Sequence, residues 1–148
     1  MATIYKLSSI DFGFSYNGQT YDFEHCDGMT IEDPRSSHIT RGMNAKNKRG
    51  IKIDEALSDP DIITIPIMNV KKEVVDLLNK IQASDDERIE AYAIDRNTGQ
   101  SRFIKEAIVS KKVRQLVISE GRDDLNIELI LESFQVDDKL KEDAEVVG

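Results

Sequence analysis

Hydrophobic and polar positions alternate through the first part of the chain. In SSIDFGFSYNGQTYDFEH, Ile10, Phe12, Phe14 and Tyr16 alternate with Asp11, Gly13 and Ser15. Asn17-Gly18 then intervenes, and Tyr21 and Phe23 resume the pattern. A period of two puts one set of side chains on a buried face and the other in water. An Asn-Gly pair between two such segments predicts a hairpin, because a type I′ turn needs positive φ at both central residues. A further short strand is expected at Met29 to Glu32, closed by Asp33-Pro34.

Residues 33–58 read as one extended loop, in which only Ile51, Ile53 and Leu57 are candidates for burial. Long irregular segments in small domains are usually functional or disordered. The pattern returns at Ile62 to Val70, a dense β-branched run interrupted by Pro66. A proline there fits an edge strand, a bulge or a position that donates no hydrogen bond. Val70, Val74, Leu77, Leu78 and Ile81 then recur at helical spacing, which predicts one amphipathic helix, with Asn69 as its candidate cap. Two hairpins follow. Arg88 to Asp95 is expected to pair with Ser101 to Val109 through Arg96-Asn97-Thr98-Gly99, and Val113 to Ser119 with Leu125 to Val136. Along the last strand Leu125, Ile127, Leu129 and Leu131 share one face, with Asn126, Glu128, Ile130 and Glu132 on the other. Residues 137–148, DDKLKEDAEVVG, read as a charged flexible tail.

These elements predict an α+β, mainly β domain over residues 1–136. Antiparallel sheets would form a β-sandwich or half-barrel, with one helix packed on the outside and a long basic loop. The 148-residue length suits a single domain able to bury its own core.

Charge sharpens the picture. The formal net charge is -8, yet the segment from Arg35 to Lys52 carries Arg35, Arg41, Lys46, Lys48, Arg49 and Lys52 and no acid. The rest of the chain holds 14 basic against 28 acidic residues. Such segregation suits a basic arm that docks on an acidic neighbouring copy, in a head-to-tail contact that builds rings or filaments. Candidate acidic partners are Asp85, Asp86, Glu87, Asp123 and Asp124. A nucleic-acid patch is the rival use, since Lys, Arg and Asn suit phosphate contacts. Against it, no aromatic lies between Phe23 and Tyr92 to stack bases, and the acidic remainder repels a polyanion.

Other chemistries find little support. Gly42 and Gly50 lack the spacing of a phosphate-binding loop. His25 and Cys26 are adjacent, so an extended backbone points them to opposite faces, and there is no second cysteine for a thiolate metal site. No nucleophile elbow or papain-like cysteine motif is present. The expectation is a protein without catalysis, metal or cofactor. There is no apolar leader at the start and no apolar run of bilayer length, which points to synthesis in a cytoplasm.

The order of pieces resembles a known family. A β-rich start leads to GMTIEDPRSSHITRGMNAKNKRGIKIDEALSDPDIITIPIMNV, then a helix with VVDLLNKIQ, a hairpin around DRNTGQ and a closing pair ending LILESF. This layout resembles the tail tube proteins of contractile-tailed bacteriophages and is similar to the tube protein of type VI secretion systems. The likeness runs over residues 4–136. It implies a virion structural protein, made in a bacterial cytoplasm, that forms stacked hexameric rings with itself as the main partner. Sheath, baseplate and terminator proteins would be further partners. The sheets would line a bore through which DNA passes without specific binding, and the basic loop would contact the next ring. Glu90, Glu128 and Glu132 are candidates for the lumen or plain solvent-facing strand positions. A tail terminator or baseplate component is the alternative within the same particle.

Overall fold

The structure is a computed structural model and describes residues 3–34, 59–111, 116–120 and 124–147. All six basic residues of the arm, together with Asp123, lie outside these residues. The fold is α+β and mainly β. Its strands are β1 (Thr3–Leu7), β2 (Ile10–Tyr16), β3 (Gln19–Phe23), β4 (Met29–Asp33), β5 (Asp61–Val70), β6 (Ile89–Asp95), β7 (Gln100–Val109), β8 (Val117–Glu120), β9 (Leu125–Ser133), β10 (Gln135–Val136) and β11 (Glu145–Val146). Its helices are α1 (Lys72–Ala83) and α2 (Asp138–Glu142).

The strands form one open antiparallel sheet in the order β11-β1-β4-β5-β9-β7-β6-β2-β3, with β10 beside β7 and β8 beside β9. Only Ser8 and Ser9 join β1, near one end of this order, to β2, near the other. Two residues span at most about 10 Å, so the sheet must curl until its ends approach. Cys26 N donates to Ile10 O (2.8 Å) and Gly28 N to Leu7 O (2.9 Å), tying the same corner a second time. The result is a half-barrel with a continuous apolar filling.

The alternation read from the sequence decides what enters that filling. Ile10, Phe12 and Phe14 of β2 and Ile127, Leu129 and Leu131 of β9 are buried and join one core cluster. β7 bends between the two halves. Residues up to Ala107 pair with β6, and Ile108 and Val109 pair with β9. The bend falls at Glu106, which takes φ 50 at a break in register, as a β-bulge does. The Asn17-Gly18 turn has both residues at positive φ, as the type I′ expectation requires.

Pro66 sits in β5, flanked in the sheet by β4 and β9. Its partner Glu128 turns its own N–H the other way, to Leu116 O (2.9 Å), so Pro66 faces the β4 side. β4 begins only at Met29, and the β4–β5 ladder covers residues 62–64. The missing N–H therefore costs no ladder bond.

α1 forms where the spacing predicts it and buries Leu78 and Ile81 as expected; Val75 is the third buried residue, whereas Val74 and Leu77 are only partly buried and Val70 belongs to β5. Asn69 does not cap it. Asn69 has φ 59 within the end of β5, and Lys71 precedes the helix without a side-chain cap.

The C-terminal segment departs from the expected flexible tail, and the fold holds a second helix. Residues from Gln135 onward form β10, α2 and β11, which pair with β7 and β1. Leu140 is fully buried, and Asp137 caps α2 by accepting from Lys139 N (3.0 Å). Two of the charges that suggested solvation, Lys141 and Asp143, are paired instead. Lys141 reaches Asp33 (2.7 Å) and Asp61 (3.0 Å), and Arg102 reaches Asp143 (2.9 Å).

Candidate assembly surfaces

Three features of the described surface bear on function: the sheet edges, the sheet face turned away from the core, and the charge clusters.

Among the described residues, β3 ends the strand order and has β2 as its one neighbour. Its register with β2 runs unbroken from Phe12↔Phe23 to Tyr16↔Gln19. Monomeric proteins blunt such edges with charged side chains, lysine above all, with proline or with a bulge; QTYDF has no lysine, proline or bulge, and its one charge, Asp22, accepts from Tyr92. Its backbone donors and acceptors are thus presented on a regular five-residue template. Tyr21 stacks on its cross-strand partner Phe14 at 4.9 Å, which fastens the edge to β2. The opposite end of the order is β1, covered by the two-residue β11.

Glu90, Glu128 and Glu132 all stand on the face away from the core, as the alternation predicts. They do not form one cluster. Glu128 and Glu132 share β9, while Glu90 is on β6 with β7 between. Glu132 is half-buried between Ile62 and Ile108 and accepts from Ser110 Oγ (2.6 Å). Glu90 accepts from Glu106 N at the bulge (3.1 Å). Two of the three carboxylates therefore also stabilise the subunit.

On the same face, Gly13 of β2 is opposite Tyr92 of β6 and Asp22 of β3. The Tyr92 hydroxyl crosses above Gly13 and donates to Asp22. Burial and the Asp22 carboxylate push the phenol up to about 12. The one sign of this in the sequence is a glycine inside a strand of aromatics, which marks a close approach.

Of the candidate acidic partners, Asp85 is ion-paired with Lys111 in its own chain, and this lysine holds its carboxyl below the usual range. Asp86 is exposed, and its backbone N–H is turned to Ser84 Oγ (3.3 Å). Glu87 lies against Tyr16, whose phenol it raises by hydrogen bonding. Asp124 is half-buried beside β9. Asp86 and Asp124 have no ion pair among the described residues, so the expected acidic set is only partly available to a partner.

Arg96 forms a second cluster, with Asp11 and Asp27 each at 2.9 Å. Asp11 also accepts from His25 N (3.0 Å), and Asp27 from Ile10 N (3.1 Å). This knot ties the β6–β7 turn to the β1–β2 and β3–β4 corners. A third cluster surrounds Lys141. Burial alone would lower the pKa of this ammonium, but hydrogen bonds and charge from Asp33 and Asp61 raise it. Nothing in the sequence marks that triad, since Lys141 and Asp33 are 108 residues apart.

Cys26 is fully buried, and burial pushes its thiol up to about 11, which disfavours the nucleophilic thiolate. His25 beside it is exposed. Among the described residues, no group of three or more His, Cys, Asp or Glu is placed to hold a metal ion. No described helix is long and apolar enough to cross a membrane. Comparison with family models, with curated proteins and with solved structures finds no match to this chain.

Proposed function

We propose that this chain is a self-assembling structural subunit, the tail tube protein of a contractile phage tail. The observation that carries the reading is the β3 edge. A sheet whose described end is a regular strand without lysine, proline or bulge is a template for another chain. Joining subunits edge to edge removes that liability and closes the sheets into a ring. The face bearing Glu90, Glu128 and Glu132 would then line the bore. Like charge there suppresses non-specific capture of a passing polyanion. The basic segment from Arg35 to Lys52 would supply the contact between rings, with the exposed Asp86 and the half-buried Asp124 as its partners. The mechanism is mechanical and electrostatic: strand pairing closes rings, charge docking stacks them, and an acidic bore keeps DNA mobile.

Negative-stain electron microscopy with size-exclusion chromatography of the purified protein tests this. Rings or hollow tubes are the expected result. Single short rings without stacking would favour a terminator or baseplate role. A monomer at every concentration that binds duplex DNA would transfer the basic segment to nucleic-acid recognition.

A further inference from the structure

The C-terminal segment is held unevenly along its length. Up to Asp143 it is anchored: Leu140 is fully buried, Lys141 is paired with Asp33 and Asp61, and Asp143 with Arg102. Ala144 still packs partly against the core, and beyond it this changes. Glu145, Val146 and Val147 are exposed, Val146 and Val147 by 60% and 51%. The segment lies along β1 through the pairs Tyr5↔Val146 and Lys6↔Glu145 and a bond from Val147 N to Ile4 O (2.8 Å). A polar cleft lined by Lys6, Ser8, Ser9, Asp95, Asp143 and Glu145 lies beside it, so it is not sealed by apolar packing. Two paired residues with no buried side chain thus cover a five-residue strand.

We infer that β11 is a displaceable strap. It occupies the β1 edge in the free subunit and gives way to β3 of a second copy. The inference rests on the tube reading for its biological setting, but its physical basis is separate. β1 and β3 have five residues each and lie at opposite ends of the strand order. Pairing one with the other is therefore heterologous, leaves a free β1 and a free β3 at the ends, and propagates. Each strand also points aromatic side chains at its own core, Tyr5 from β1 and Tyr21 and Phe23 from β3, so a joined sheet keeps its apolar face continuous. The exchange replaces a two-residue ladder with one of up to five. Asp143, fixed by Arg102, and Ala144, packed on the core, are the anchor from which residues 145–147 swing away.

Two variants test this, read by light scattering on size-exclusion chromatography and by negative stain. The first ends the chain at Asp143, which keeps α2 and its ion pairs. The second is Tyr5→Cys with Val146→Cys. These residues form a non-hydrogen-bonded pair, because the neighbouring Val147 N bonds Ile4 O, and that geometry suits a disulfide. The shortened chain is expected to associate at a concentration at least about tenfold below wild type, a shift of about 1.4 kcal/mol per contact. The oxidised double variant is expected to remain a single subunit and to recover association on reduction. Association of the oxidised form at the wild-type concentration overturns the strap. So does a shortened chain that keeps its far-UV spectrum yet stays monomeric. Should the shortened chain fail to fold, the oxidised and reduced forms of the second variant decide alone. Association of the shortened chain without rings or tubes would retain the strap and remove the tube reading. Tubes formed with the strap locked would do the reverse.

Discussion

Tyr92 on β6 donates its hydroxyl to Asp22 on β3, two strands away, and Gly13 on β2 is the gap that lets it cross. A Cβ at position 13 would overlap the phenol and the Asp22 carboxylate. Gly13→Ala is expected to lower stability by about 2 kcal/mol, the cost of overpacking a fitted site. Tyr92→Phe should cost about 1 kcal/mol, the net value of one hydrogen bond. In a Tyr92→Ala background the Gly13→Ala penalty should fall by more than half. Urea unfolding of the wild type and these four variants checks this, and an undiminished penalty would mean that the ring does not lie over the glycine.

The same phenol gives a signature in base. Its pKa is raised to about 12 in the folded state against a reference near 10. The neutral form is therefore favoured by folding. Its contribution is complete below about pH 10 and is lost as pH rises toward 12. Tyr92→Phe should flatten that alkaline decline relative to wild type in thermal melts from pH 9 to 12.

Lys141 neutralises two acids that face each other one step beyond the last paired residues of β4 and β5, Glu32 and Ile62. Like charges directly opposite one another destabilise a sheet. Lys141→Met should therefore cost about 3 kcal/mol, because it removes a cation from between two buried carboxylates. Adding Asp33→Asn and Asp61→Asn to Lys141→Met should recover part of that loss. No recovery in chemical denaturation would locate the loss in packing around α2 and not in charge.

Asp11 is held below the usual carboxylate range by the His25 N–H and then by Arg96. A depressed carboxylate stabilises the fold above its reference pKa, and the contribution disappears as pH falls through the lower folded value. Asp11→Asn should weaken the protein at pH 7 and leave it closer to wild type near pH 2. Arg96→Met should reproduce part of the loss at pH 7, in a manner that high salt reduces.

Replacing Lys46, Lys48 and Arg49 by Glu should shorten or abolish stacked assemblies while the melting temperature of the subunit stays within a few degrees of wild type. Electron micrographs and a thermal melt read the two effects separately. The wild-type protein should also fail to shift duplex DNA in a gel at moderate salt. Tight binding that collapses steeply as salt rises would contradict the acidic-bore reading, since that slope counts neutralised phosphates.

The sequence by itself determined what is local. Alternation in Ile10 to Tyr16 and in Leu125 to Glu132 assigned strands and buried faces, Asn17-Gly18 assigned a turn, and the spacing from Val74 to Ile81 assigned the helix. These signals are read from neighbours within a few residues, because side-chain direction repeats with a fixed period along regular backbone. Tertiary structure decided what depends on distant partners. Whether DDKLKEDAEVVG is solvated or docked turned on Asp33, Asp61 and Arg102, which no local pattern connects to it. Whether Pro66 was tolerated turned on where β4 begins, and whether Gly13 was a defect or a seat turned on Tyr92. Charge and proline carry opposite meanings in water and beside the right neighbour, and only the curl of the sheet supplied the neighbour.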